Sequence, residues 1–108
     1  MKLTDRKNCP IMRAARIVGD QWSPLILREL YFKQPQRFAE LEEILQVSPN
    51  TLSARLKKLE QAGVIERRMY SSHPPRAEYY LTEKGQALAP VLKALYAWGV
   101  AYPDLPPG

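Results

Sequence analysis

At 108 residues the chain has material for one hydrophobic core, so a single domain over 1–108 is expected. Its 45% apolar and 25% charged residues are those of a soluble globular protein, and no apolar run approaches the roughly 18 residues that span a bilayer. One cysteine (Cys9), one histidine (His73) and five scattered glycines supply no zinc cluster, Cys–His nucleophile or phosphate loop, so no metal, cofactor or enzyme activity is expected.

The first residues, Met1 to Lys7, are polar and lead into no secretory signal, which makes a cytoplasmic address the default. The net charge of +5 is unevenly spread. Asp20, Glu29, Glu40, Glu42 and Glu43 outnumber Arg28, Lys33 and Arg37 in the stretch 20–45. Between 49 and 76 the balance reverses, with Arg55, Lys57, Lys58, Arg67, Arg68 and Arg76 against Glu60 and Glu66. A segmental excess of this kind suits a face that meets a polyanion, and it also suits a merely solvated basic surface.

Proline and glycine mark the elements. Cys9-Pro10 opens a first helix, with Ile11, Ala14, Ala15 and Val18 at helical spacing before Gly19. Ser23-Pro24 reads as N-cap and first helical residue of a second helix reaching about Phe32. Lys33 to Gln36 is a polar break that can lead into a very short strand. Phe38, Leu41, Ile44 and Leu45 give a third helix over 38–45. After a tight connection, Ser48-Pro49 starts a fourth helix that runs to Ala62, and Gly63 provides a left-handed stop.

Beyond Gly63 the period shortens. Residues 64–71 and 76–81 read as two strands around Ser72-His73-Pro74-Pro75, the second with Ala77, Tyr79 and Leu81 on one face. Thr82-Glu83 caps a last helix reaching about Ala101, with a kink or loosened turn expected near 86–90 because Pro90 falls inside it. The fold class expected is mainly α with a small β-hairpin (α+β). Two helices joined by a short turn and followed at once by a hairpin make a winged helix-turn-helix: helix-turn-helix about 38–62, wing about 64–81, terminal helix about 83–101.

The fourth helix turns Leu52, Leu56 and Leu59 to the core. At about 100° per residue the opposite side presents Asn50, Ala54, Lys57, Lys58 and Gln61, flanked by Thr51, Ser53 and Arg55. Small polar residues near the N-terminus allow close approach to a major groove, where Asn, Thr, Ser or Arg can bond base edges. Lys57 and Lys58 are better placed for phosphates, which position a protein without reading sequence. Arg76 at the loop exit is the first choice for a wing contact, and His73 is either a second contact or a solvated loop residue.

These stretches resemble the HxlR family of bacterial winged-helix regulators. The resemblance is carried by Cys9-Pro10, Gly19-Asp20-Gln21-Trp22, Leu25 to Leu30, Arg37-Phe38 with Leu41, and Leu52 to Glu60. It continues through Gly63-Val64-Ile65, Pro74 to Tyr79, Leu81 to Gly85 and Trp98-Gly99, covering about 9–100. It implies a sequence-specific repressor or activator that binds a roughly palindromic site on double-stranded DNA as a homodimer. The resulting set of DNA-contacting residues is Arg37, Ser48, Asn50, Thr51, Ser53, Ala54, Arg55, Lys57, Lys58, His73 and Arg76.

The resemblance also implies that the first and last helices form the dimer interface. The terminal helix supports this by the width of its apolar arc, which includes Leu88, Val91, Leu92, Leu95, Tyr96 and Trp98; Ile11 and Met12 come from the first helix. Ordinary core packing is the alternative for part of that arc. Some family members sense oxidants or electrophiles through a cysteine at the position of Cys9. A thiol at a helix N-terminus, with Arg6 and Lys7 nearby in sequence, has its thiolate favoured, although a cysteine is often a small buried hydrophobe. A protein-docking winged helix without sequence-specific DNA binding is the other functional class; the basic, small-residue face of 50–58 lacks the apolar anchors it would use.

Overall fold

Residues 9–105 are described in a computed structural model. Pro10 occupies the first helical position of α1 (Pro10–Val18), where its missing N–H has no intrahelical partner to lose. Helix α2 (Trp22–Phe32) differs from expectation at its start. Ser23 is not the cap: it lies inside the first turn, fully buried. The capping carboxylate is Asp20, which accepts from the backbone N–H groups of Trp22 and Ser23, both at 2.9 Å, and from the Ser23 hydroxyl at 2.6 Å. Both residues have the chemistry of an N-cap, and burial of Ser23 decides between them.

A two-residue strand, β1 (Gln36–Arg37), runs directly into α3 (Phe38–Leu45). Gln36 is buried, and its amide donates to the carbonyls of Glu29 (2.8 Å) and Lys33 (2.9 Å), closing the end of α2. Helix α3 ends on Gln46 in the left-handed region (φ 54°), and buried Val47 pins the connection to α4 (Pro49–Gln61). Gly63, at φ 77°, takes the chain out of α4 as the sequence required.

Strands β2 (Ile65–Ser72) and β3 (Pro75–Leu81) form the hairpin, and β1 pairs with the other edge of β3, giving an antiparallel sheet of order β1-β3-β2. Ser72 and Pro75 pair across the turn, so only His73 and Pro74 interrupt the strands, two residues fewer than expected. Proline is tolerated at a strand's first residue. A register shift between Met69 and Ser71 makes a bulge at Tyr70.

The final helix is interrupted where the sequence predicts a kink or loosened turn: α5 (Glu83–Gln86) ends before Leu88, and α6 (Ala89–Ala101) restarts as a separate helix with Pro90 in its first turn. Close approach fixes α5. A Cβ on Gly85 would sit 2.0 Å from the Val64 carbonyl oxygen, and the Tyr31 hydroxyl donates to the Gly85 carbonyl. The core gathers Ile26, Leu27 and Leu30 of α2, Leu41 and Leu45 of α3, Leu52, Leu56 and Leu59 of α4, and Val64, Ile65 and Leu81 from the sheet region. Burying one such leucine contributes about 1.5–3 kcal/mol. The three leucines of α4 are thus what presses one side of that helix inward and leaves the other in solvent.

Candidate nucleic-acid interface

The outward side of α4 begins at Ser48, whose hydroxyl oxygen accepts from the Thr51 N–H at 3.3 Å and donates to the Thr51 hydroxyl at 2.9 Å. This capping fixes the first turn and uses both side chains locally. Beyond it Asn50, Ser53, Ala54 and Lys57 are exposed in sequence along one side, while Thr51 is half-buried. The exposed set is small and polar for its first two turns and gains a cation in the third. Pro49 has no N–H, and those of Thr51 and Leu52 bond Ser48, so the Asn50 N–H is left to add partial positive charge at the same end.

The basic residues of α4 separate into two kinds. Lys57 makes no ion pair among the described residues and shares a groove between α4 and the sheet with Ser53, Gln61, Arg67 and Tyr79. Arg55 and Lys58 turn instead toward Asp20: the Arg55 Nε is 3.1 Å from one carboxylate oxygen and the Lys58 Nζ bonds the other. All three side chains are a quarter to a third exposed. Burial opposes the Asp20 charge, but hydrogen bonds from Lys58, the Ser23 hydroxyl and the N–H groups of Ser23 and Trp22 outweigh it and hold the carboxyl well below the usual carboxylate range. Sequence reasoning did not assign this role to Asp20; an acidic residue just ahead of Trp22-Ser23-Pro24 was the available signal.

On the sheet, acids answer most of the arginines. Arg37 lies 4.0 Å from Glu78 and stacks its guanidinium 4.6 Å from the centre of the Tyr70 ring. Arg68 pairs with Glu66 at 2.8 Å and lies 4.2 Å over Tyr80, and Arg67 is 3.9 Å from Glu60. Arg76 is exposed at the start of β3 and makes no ion pair among the described residues, and His73 is exposed in the turn beside it. The structure therefore brings Ser48, Asn50, Ser53, Ala54 and Lys57 onto one solvent-facing surface. It places His73 and Arg76 together at the hairpin tip and ties Arg37, Arg55 and Lys58 to acidic partners.

The residues expected at a subunit interface divide as well. Leu88 and Leu92 pack partly on the protomer's own core, and Met12 and Val91 are half-buried. Ile11 (70% exposed), Leu95 (50%) and Trp98 (67%) have no cover, and no residue of α6 is fully buried. Cys9 is 9% exposed at the N-terminus of α1. Arg6 and Lys7, read above as its basic neighbours, lie outside the described residues. Among the described residues no cluster of potential metal ligands is present, and no helix is long and apolar enough to cross a membrane.

Comparison with known proteins agrees with this architecture. An uncharacterized HTH-type transcriptional regulator of Mycobacterium tuberculosis, Rv3095, is 43% identical over 96 residues, covering 89% of this chain and 60% of the relative. The chain thus spans about three-fifths of the length of that relative and of its Mycobacterium bovis counterpart. Among solved structures, the redox regulator HypR in its oxidized form superposes with a TM-score of 0.80 at 28% identity, over 90% of this chain and 100% of that one. The reduced form of the transcriptional regulator YodB from B. subtilis gives 0.74 at 38% identity, over 87% and 93%. The profile of the HxlR-like helix-turn-helix family matches residues 17–105, and with the winged architecture described above the chain belongs to that family of transcriptional regulators.

Proposed function

We propose that the protein is a sequence-specific DNA-binding regulator that acts as a homodimer, with α4 as its recognition helix. The carrying observation is the exposed surface of Ser48, Asn50, Ser53, Ala54 and Lys57, small enough to enter a major groove and backed by a row of core leucines. Asn50 and Ser53 are the base-edge contacts, and Lys57 meets phosphate. Thr51, Arg55 and Lys58 flank this surface, Arg37 borders it from the start of α3, and Arg76 with His73 forms the wing contact. Two such helices, roughly 34–36 Å apart, read the halves of a near-palindromic site.

The uncovered apolar side of α6 supports the dimer. Its thirteen residues include one charge, Lys93, while Leu95, Tyr96, Trp98 and Val100 are exposed. This surface suits an isologous interface, to which Ile11 and Met12 of α1 are assigned as well. Val91 lies at its edge, and Leu88 and Leu92 connect it to the core.

The signal is read through Cys9. Support comes from its place at the positive end of α1, one of the helices assigned to the dimer, and from the likeness to HypR, whose name marks it as a redox regulator. An oxidant or electrophile is the inducer class. The test is selection of bound duplexes from a random-sequence library, repeated after treatment with diamide or a quinone. A recovered near-palindrome whose binding changes with Cys9 modification supports the whole reading. Absence of any preferred site at moderate salt refutes DNA recognition, and unchanged binding after confirmed Cys9 modification refutes the sensor.

A further inference from the structure

Among the described residues Asp20 is the one acidic side chain that joins two cations of α4, and it does so from a distant part of the chain: 35 residues separate it from Arg55 and 38 from Lys58. Its carboxylate is also held locally, by two backbone N–H groups and the Ser23 hydroxyl at 2.6–2.9 Å. A carboxylate held by α2 is therefore aimed at the flank of α4. We propose that Asp20 is a positioning residue for DNA recognition: it anchors α4 to the start of α2 and withholds Arg55 and Lys58 from the phosphate backbone.

The proposal rests on α4 being the recognition helix and adds a division of labour within it. Two neighbouring lysines differ in availability. Lys57 has no acidic partner among the described residues, while Lys58 is bonded to Asp20. The carboxylate stays ionised at every physiological pH, since its hydrogen bonds hold it well below the ordinary range. Phosphate must then compete with a preformed, partly buried acceptor that costs nothing to organise. Cations freed from Asp20 would raise affinity for any DNA sequence and so lower the ratio of specific to non-specific binding. Holding them back keeps recognition dependent on Asn50, Ser53 and close groove contact.

The experiment compares salt dependence of binding to a random-sequence duplex for the full chain and three variants. Each phosphate contact contributes about 0.9 to the slope of log K against log salt. Lys57→Gln is expected to flatten the slope by about 0.9 per subunit, while Lys58→Gln leaves it unchanged. Asp20→Asn retains a capping oxygen and frees both cations, so its slope is expected to steepen by at least about 0.9 per subunit, with tighter random-sequence binding. Equal flattening by the two lysine variants overturns the proposal and leaves α4 as the recognition helix. No flattening by either overturns the recognition reading itself. Should Asp20→Asn fail to fold, the lysine comparison decides alone, because both variants leave the α2 cap intact.

Discussion

Replacing Asp20 separates its hydrogen-bonding role from its charge. Asp20→Ala removes the acceptor for the Trp22 and Ser23 N–H groups, a loss of about 1 kcal/mol for an N-cap. It also deprives the fully buried Ser23 hydroxyl of its partner, worth about 1–3 kcal/mol unless a preceding helical carbonyl accepts it. The pairs with Arg55 and Lys58 are partly exposed and add at most about 1 kcal/mol. The expected loss is about 2–5 kcal/mol, or a fall in Tm of roughly 10 °C or more for a domain of this size. Asp20→Asn keeps the oxygen that caps Trp22 and Ser23, loses the charge and turns an NH2 toward the Ser23 hydroxyl, which must then accept, so about 1–2 kcal/mol is expected.

The pH dependence has a definite sign. The folded carboxyl lies below its ordinary value of 3.8, so its charge contributes fully near pH 7. That contribution erodes as pH falls below 3.8 toward the folded value, because the unfolded chain takes up the proton first. The gap between wild type and Asp20→Asn is therefore expected to narrow in acid, while the gap between Asn and Ala persists. Urea unfolding followed by circular dichroism at fixed protein concentration measures both. Equal losses for Ala and Asn would refute the capping assignment, and a loss under about 0.5 kcal/mol for Ala would refute the latch as a stabilising element.

Three further outcomes follow from the packing. Gly85→Ala is expected to destabilise by about 1–3 kcal/mol or more, because its Cβ meets the Val64 backbone oxygen at 2.0 Å; thermal unfolding reads the loss. Trp98→Glu puts a charge on the exposed side of α6; if that side forms the proposed homodimer, about 2 kcal/mol lost at each of two symmetric sites raises its dissociation constant about a thousandfold in sedimentation equilibrium. Arg76→Ala is expected to weaken binding to all duplexes alike and to flatten the salt slope by about 0.9 per subunit, with the selected site unchanged.

Much of the fold is legible because its punctuation is local. Pro10, Pro49 and Pro90 each fall in the first turn of a helix, where proline acts through its own backbone, and Gly63 takes the left-handed φ its position demands. The start of α2 is less legible because Asp20 and Ser23 are both good caps, and only burial against the rest of the fold chooses between them. The inward leucines of α4 follow from helical period alone. The difference between Lys57 and Lys58 does not: both are lysines on the same side of a helical wheel, and what separates them is a carboxylate 38 residues away in sequence.

That difference bears on how the net charge should be read. The excess of +5 says nothing about which cations a phosphate can reach. Arg37 faces Glu78, Arg67 faces Glu60 and Arg68 faces Glu66, so at distances near the Debye length of about 8 Å each pair is close to neutral. Arg55 and Lys58 share Asp20. Of the cations on α4 and the sheet, Lys57 and Arg76 alone make no ion pair among the described residues. One stands on α4, the proposed recognition helix, and the other at the hairpin tip, the two places a winged helix presents to a duplex. On the proposed reading, pairing more than total charge concentrates the attraction for DNA at these two points, and it leaves sequence preference to the small polar residues between Ser48 and Ala54.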